Sequence, residues 1–328
     1  MTTIKIGLLN KKRGNFKIQE KFVGIDNVVD ETHKEVAHHK QALLDAGYEV
    51  CTIDWGESFI KDLKDSNVDL VFNVSSMAEA AILEELEIPF VGSDTTAIAV
   101  AADKSLSKKI WESERLQISP FRVAKFVKDC SAFKDNPPFG YPLFIKPIAG
   151  RGSAGINDSS VIKNYEQLVK GARERLNTIK QPVLIEKFLQ GTEITVGIIG
   201  SENDIRVLPP LEISFNGATN FLTFDKKEFD SDDFYCPARL NDEDMYRIKE
   251  LAKKAYRAIG FKDYGRIDTV LTKEGPYLLE SNSFAGLMCT PKEKPRSYIG
   301  FMAVADGMSA PDLIDEIVKS ALKRYKMF

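Results

Sequence analysis

Long apolar stretches are absent from this sequence. No run of roughly 18 apolar residues occurs, which excludes a conventional membrane-spanning helix. Met1-Thr2-Thr3-Ile4-Lys5 passes straight into the strand-like IKIGLL, so no signal peptide is expected. Charge of one sign is also scarce: 45 basic and 48 acidic side chains leave a formal net charge of −3, without long blocks of either sign. A nucleic-acid or anionic-membrane partner calls for such a block, so neither is expected. The four cysteines, Cys51, Cys130, Cys236 and Cys289, are widely spaced with no CxxC pair. That excludes a disulfide scaffold and points to a reduced, cytoplasmic protein. Cys51 and Cys289 are expected to pack as small hydrophobes, and none of the four is assigned to catalysis. The three histidines, His33, His38 and His39, share one segment and lack metal-ligand partners, so they are expected on a helix surface.

What is present is a chain of 328 residues, long enough for two or three units with cores of their own. The first hundred residues alternate strand and helix. IKIGLL, EVCTIDW, DLVFNV and PFVGSD read as strands, THKEVAHHKQALLDAG and AEAAILEELEI as helices, which favours a helix-covered parallel sheet. DKSLSKKIWESERL makes a charged helix. Pro120 opens a second unit with YPLFIKP and VLIEKFL as strands. From Gly191 a third unit holds EITVGIIG, DIRVLPPLEI, the helix DEDMYRIKELAKKAYRAIG, a hairpin and the terminal helix APDLIDEIVKSALKRY. The polar, aperiodic stretch from Phe215 to Ala238 is a long loop of the kind that usually carries function. The expected domains are 1–102, 103–190 and 191–328.

The hairpin carries the clearest chemistry. RIDTVL alternates, Lys273-Glu274-Gly275-Pro276 turns, and YLLESN returns. Side chains alternate along a strand, so Glu280 and Asn282 share a face, and the neighbouring strand can bring Asp268 beside them. Two carboxylates and one amide oxygen suit Mg²⁺, which takes few protein ligands and completes its shell with water and phosphate. In YPLFIKPIAGRGSAGI, Lys146 precedes Gly150, Arg151, Gly152, Ser153 and Gly155. Backbone N–H groups and the Ser153 hydroxyl can donate to phosphate oxygens while Lys146 adds a point charge. A glycine-rich hairpin turn reads the same way, so the loop gains weight only beside the hairpin. In VLIEKFLQGTEITV, Glu186 and Glu193 are either exposed carboxylates near a hinge or an adenine edge with Glu193 on the ribose.

The order ADKSLSK, YPLFIKP with its glycine loop, LIEKFLQGTEITV, FYCPA, YGRIDTVL and YLLESNSFAG resembles the ATP-grasp superfamily. More closely, it is similar to the D-alanine–D-alanine ligases, from about Val91 to the C-terminus. The resemblance implies an α/β (α+β) three-domain fold: an N-terminal parallel-sheet domain, a central lid and a C-terminal antiparallel-sheet domain. It implies an ATP-dependent carbon–nitrogen ligase that phosphorylates a carboxylate and lets an amine attack the acyl phosphate, releasing ADP and phosphate. It assigns Lys104 and Lys146 to the ATP phosphates with Gly152 and Ser153. Glu186, Lys187 and Leu189 fall to adenine, Glu193 to ribose, and Lys227 to the nucleotide from the long loop. Asp268, Glu280 and Asn282 fall to two Mg²⁺ ions, with Mn²⁺ as a substitute. Arg266, Gly286 and Ser153 fall to the reacting groups, and the implied assembly is a homodimer.

Departures concentrate where substrates bind. The ligases carry a GGxSxE-type loop after the first strand, whereas this chain has NKKRGNFKIQEKF, with Lys11, Lys12 and Arg13 as an ordinary basic loop or anion contacts. Their EGSSVG loop is GRGSAG here, their Lys-Tyr pair is Lys227-Glu228, and LMCTPKEKPRSY replaces their Ser and His after the final glycine. The expectation is therefore a specialised dipeptide or amide synthetase acting on a small carboxylate and an amine. The alternatives are a D-alanine–D-alanine ligase proper and an ATP-grasp small-molecule kinase that makes no amide.

Overall fold

The computed structural model describes residues 3–10, 25–74, 76–150, 156–214, 233–289 and 297–327, with side chains from residue 34 onward in the first helix. Strand–helix alternation builds the N-terminal part as expected: β1 (Lys5–Asn10), α1 (Ile25–Asp45), β2 (Glu49–Asp54), α2 (Phe59–Asp65), β3 (Leu70–Phe72), α3 (Met77–Glu85), β4 (Phe90–Val91) and α4 (Thr95–Ala102). The strands form a parallel sheet in the order β2-β1-β3-β4. α1 starts seven residues before the expected Thr32, and α2 was not anticipated. Two turns burying only Phe59 and Leu63 are too short to show a helical period.

His39 overturns the reading of these histidines as surface residues. It is fully buried, its ring 5.9 Å from that of Phe72, because neighbouring positions on a helix point in different directions and one of the two must face the sheet. Burial drives its pKa down to about 3, so it is neutral. Cys51 and Cys289 do pack against apolar clusters, as expected.

α5 (Lys104–Ser113) follows, started by Asp103, whose carboxylate accepts from the backbone N–H of Ser105 and Leu106. Then come β5 (Phe121–Ala124), β6 (Leu143–Pro147), β7 (Val161–Ile162), α6 (Tyr165–Ile179) and β8 (Val183–Lys187). The strands make an antiparallel sheet, β5-β8-β6-β7, over a core that includes Phe133, Ile145, Leu168 and Ile185. α6 was missing from the sequence reading although its buried Leu168, Ala172, Arg175 and Ile179 recur every three or four residues.

The remainder comprises β9 (Thr192–Ser201), β10 (Asp204–Val207), β11 (Leu211–Ser214), β12 (Asp233–Tyr235), α7 (Asp242–Ile259), β13 (Tyr264–Thr272), β14 (Gly275–Asn282), α8 (Tyr298–Ala305) and α9 (Ala310–Arg324). Its antiparallel sheet runs β12-β11-β9-β13-β14, with β10 also on β9. One face packs on α7 through Val196, Ile198, Ile267 and Leu278. A Cβ on Gly191 would overlap the Leu271 carbonyl, so only glycine lets the chain pass from the central sheet into β9 at this point. No helix of the described residues is long and apolar enough to cross a membrane.

Asp263, fully buried just before β13, ties the first and last parts of the chain. It accepts from the Gly92 N–H at 2.8 Å, from Ser201 and Ser320 hydroxyls, and from Arg324 at 2.6 Å. Arg324 also donates to the Phe90 carbonyl at 2.8 Å. Asp263→Ala strands these donors, and it places alanine at a φ of +62°. It should lower unfolding free energy by about 3 kcal/mol. Asp263→Asn keeps a residue tolerant of that backbone and should lose less. Urea unfolding checks both, and an unchanged midpoint in the alanine variant would contradict this role.

Candidate active site

The β9–β13–β14 ladder fixes the site. Asp268 pairs with Thr195 on β9 and Glu280 on β14, and Arg266 pairs with Gly197 and Asn282. Thr269 pairs with Leu278, so Leu279 is an extra residue in β14. This bulge reverses the alternation: Leu278 enters the core against α7, while Glu280, two residues on, turns to the opposite face beside Asp268. Arg266, Asp268, Glu280 and Asn282 therefore share one face, as the sequence suggested, but the bulge was not legible.

Arg266 grips Asp268 bidentately, Nε to Oδ1 and Nη2 to Oδ2, each at 2.8 Å. Burial alone would lower the Arg266 pKa, but Asp268 outweighs it and holds the guanidinium firmly protonated. The Thr195 hydroxyl donates to Oδ1 of Asp268, and the Asn282 amide donates to Oδ2 at 3.1 Å. The guanidinium also lies 5.0 Å from the Tyr298 ring.

Lys104, at the start of α5, joins this face to the glycine loop. Its Nζ donates to the Gly150 carbonyl at 3.0 Å and lies 3.6 Å from the Glu280 carboxylate. Lys146, on β6, is buried, with Nζ 2.7 Å from Oε1 of Glu186. Oε2 of Glu186 meets Nζ of Lys108 at 2.9 Å and the Ser119 hydroxyl at 3.0 Å. Burial would raise the Glu186 pKa, yet the two lysines outweigh it and hold it at about 2. Burial likewise opposes the charge on Lys146, but Glu186 and Glu280 overcome it and the pKa rises.

A family model described as D-ala D-ala ligase C-terminus matches residues 119–319. D-alanine–D-alanine ligase from Desulforamulus reducens is 31% identical over 298 residues, 87% of this chain and 91% of that protein. The ligase from Bordetella petrii is 30% identical over 290 residues, 86% of this chain and 84% of that protein. The chain belongs to the D-alanine–D-alanine ligase family. It is an ATP-dependent carbon–nitrogen ligase. Among solved structures, Bacillus anthracis D-alanine–D-alanine ligase complexed with ATP aligns with TM-score 0.72 at 20% identity, covering 99% of each chain. The VanG D-Ala:D-Ser ligase from Enterococcus faecalis aligns with TM-score 0.71 at 19% identity, covering 98% of this chain and 100% of that one. These place the fold of the ligase as ATP-grasp.

The structure brings Lys104, Lys146, Arg266, Asp268, Glu280 and Asn282 of the ligase into one region. Glu193 lies on the site face of β9, near enough to add to the field that raises the Lys146 pKa. The Glu186 carboxylate is taken up by two lysines and a serine inside the protein, and β8 itself is paired on both sides, with β5 and with β6. The Lys187 ammonium donates to the carbonyls of Gly140 at 2.8 Å and Tyr141 at 3.1 Å, fixing the end of β8, and Leu189 follows half-buried. The Gly286 carbonyl accepts from the Ser297 hydroxyl, and a Cβ on Gly286 would lie 3.7 Å from a Glu35 carboxylate oxygen on α1. Lys11, Lys12, Arg13, Arg151, Gly152, Ser153, Lys227 and the His33 side chain lie outside the described residues.

The donor set fits a hard divalent cation. Asp268, Glu280 and Asn282 supply oxygens from one sheet face, without imidazole or thiolate. Among the described residues no group of three or more His, Cys, Asp or Glu could hold a metal ion; the expected set has two carboxylates and counts Asn282 as its third donor. Four donors fill the lone pairs of Asp268; turning over the Asn282 amide would release one and present Oδ1 beside it.

Lys108, Ser119 and Thr195 were missed from sequence. Lys108 had one usable signal, its i+4 spacing from Lys104 on α5. A depressed carboxyl pKa stabilises the fold above the unfolded value and loses that contribution as pH falls through the folded one. Stability should thus fall between pH 4.5, the ordinary value for Glu186, and about 2. Urea midpoints measured across that window should depend less on pH in Glu186→Gln than in wild type; parallel profiles would contradict the ion cluster.

Proposed function

We propose that the ligase joins two molecules of D-alanine through an acyl phosphate, releasing ADP and phosphate. The observation that carries this reading is Lys104, which spans the Gly150 carbonyl and Glu280 and so binds the glycine loop to the carboxylate face. The relatives named above favour the D-alanine–D-alanine reaction over the specialised synthetase expected from the loops alone.

Lys104 and Lys146 hold the ATP phosphates, with Gly152 and Ser153 donating from the loop. Glu186, Lys187 and Leu189 line adenine, Glu193 accepts from the ribose, and Lys227 contributes to nucleotide binding. Asp268, Glu280 and Asn282 hold Mg²⁺, or Mn²⁺ in its place. When bound, the metal supplies charge neutralisation for phosphoryl transfer, which is mostly positioning and electrostatics. Arg266, kept charged and fixed in direction by Asp268, donates to the oxyanion that forms when the amine attacks, with the Gly286 backbone as a second donor and Ser153 beside the reacting carboxylate. No side chain is assigned as general base. The three domains are 1–102, 103–190 and 191–328, and the assembly is a homodimer working on small molecules in the cytoplasm.

A second reading, ligation of a different acid or amine, is favoured by one observation: NKKRGNFKIQEKF replaces the GGxSxE pattern after β1. Incubation with ATP, Mg²⁺ and D-alanine should release phosphate in step with ADP and give the mass of the dipeptide. Lys146→Ala and Glu280→Ala should each lower kcat at least about 100-fold. Turnover only with other acid–amine pairs would move the assignment to the second reading. ADP without free phosphate would indicate a kinase.

A further inference from the structure

We propose that Lys108 is a positioning residue for the nucleotide, neutralising Glu186 inside the protein so that the charge of Lys146 is left for the phosphates. This rests on the reading of Lys146 as a phosphate-binding residue.

Lys108 cannot touch a ligand itself, since it is 0% exposed. Its Nζ lies 2.9 Å from Oε2 of Glu186 and donates to the Ser119 hydroxyl at 3.1 Å, and that hydroxyl donates to the same Oε2 at 3.0 Å. The three groups close a triangle on one carboxylate oxygen. Lys146 holds the other oxygen at 2.7 Å. Burial lowers the Lys108 pKa while Glu186 opposes that shift; with both ammonium groups charged, two cations share one carboxylate and the cluster carries one net positive charge where water screens it little. A buried surplus of positive charge at the foot of the glycine loop is what a polyphosphate would complete.

The helix carrying Lys108 is pinned so that the triangle cannot drift. One turn earlier, Lys104 reaches Gly150 and Glu280. Ser107 bonds Ser281 on β14 at 3.2 Å, and the Trp111 indole donates to the Ala255 carbonyl of α7 at 3.1 Å. One face of α5 therefore connects the carboxylate strand, the central sheet and α7. Without Lys108, Oε2 would keep only Ser119, Lys146 would become the sole cation on Glu186, and the pair would carry no net charge.

The test measures binding of ATP and of adenosine to the full chain by calorimetry. Lys108→Met should weaken ATP about tenfold and leave adenosine unchanged, since only ATP carries phosphates. Lys108→Met/Glu186→Gln removes one charge of each sign and should return ATP affinity to within about threefold of wild type. Lys108→Arg should stay near wild type. Equal loss of ATP and adenosine in Lys108→Met would mean a merely structural lysine and overturn the proposal. So would wild-type ATP affinity in Lys108→Met, or a double variant no better than the single one. Lys146→Ala separates the levels. If it too binds ATP as wild type does, the phosphate-site reading fails and the proposal falls with it; if it is weakened and Lys108→Met is not, the proposal alone falls.

Discussion

The antiparallel ladder of β9, β13 and β14 is the constraint on which the rest of the molecule depends. Each residue in it must choose one of two faces. One face is committed to the core against α7, and that commitment leaves the other to Thr195, Arg266, Asp268, Glu280 and Asn282. The bulge at Leu279 is the one break in this rule. It allows β14 to put Leu278 into the core and still set Glu280 opposite Asp268. A slip of one residue would bury the carboxylates and expose the core, so apolar packing and site geometry enforce the same register.

Charge is then distributed by burial. Arg266 and Asp268 satisfy one another, which keeps the arginine charged and aimed along the sheet. Lys108, Glu186 and Lys146 do the same at the central sheet, with a cation in excess. Buried ion clusters of this kind contribute little net stability, because desolvation consumes most of the Coulombic gain. Their cost is more easily understood as preorganisation: donors already dehydrated and fixed need no rearrangement when a charged substrate arrives. α5 links the two groups, since Lys104 touches the carboxylate face and Lys108 lies one turn further along the helix.

Much of this was legible before any coordinates. IKIGLL and the other apolar strands of the first hundred residues carried the parallel sheet, and the alternation in RIDTVL and YLLESN placed Asp268, Glu280 and Asn282 together. Motif order from ADKSLSK to YLLESNSFAG resembled the correct family. The failures have physical causes. α2 was too short to display a period, and His39 was placed on the surface because a helix pattern without its partners does not say which neighbour faces the sheet. The partners of the Glu186 carboxylate went unseen, since nothing in a linear pattern reveals that Lys108 and Lys146 enclose it.

The sequence by itself determined the strand and helix periods, the oxygen-rich hairpin and the family, because these depend on local alternation and on residue order. Tertiary structure alone decided the bulge that turns Glu280 to Asp268, the burial of His39, and the pairing of Lys108 with Glu186 across 78 positions of chain. Those features depend on which surfaces exclude water from which groups, and that is settled only when distant segments pack.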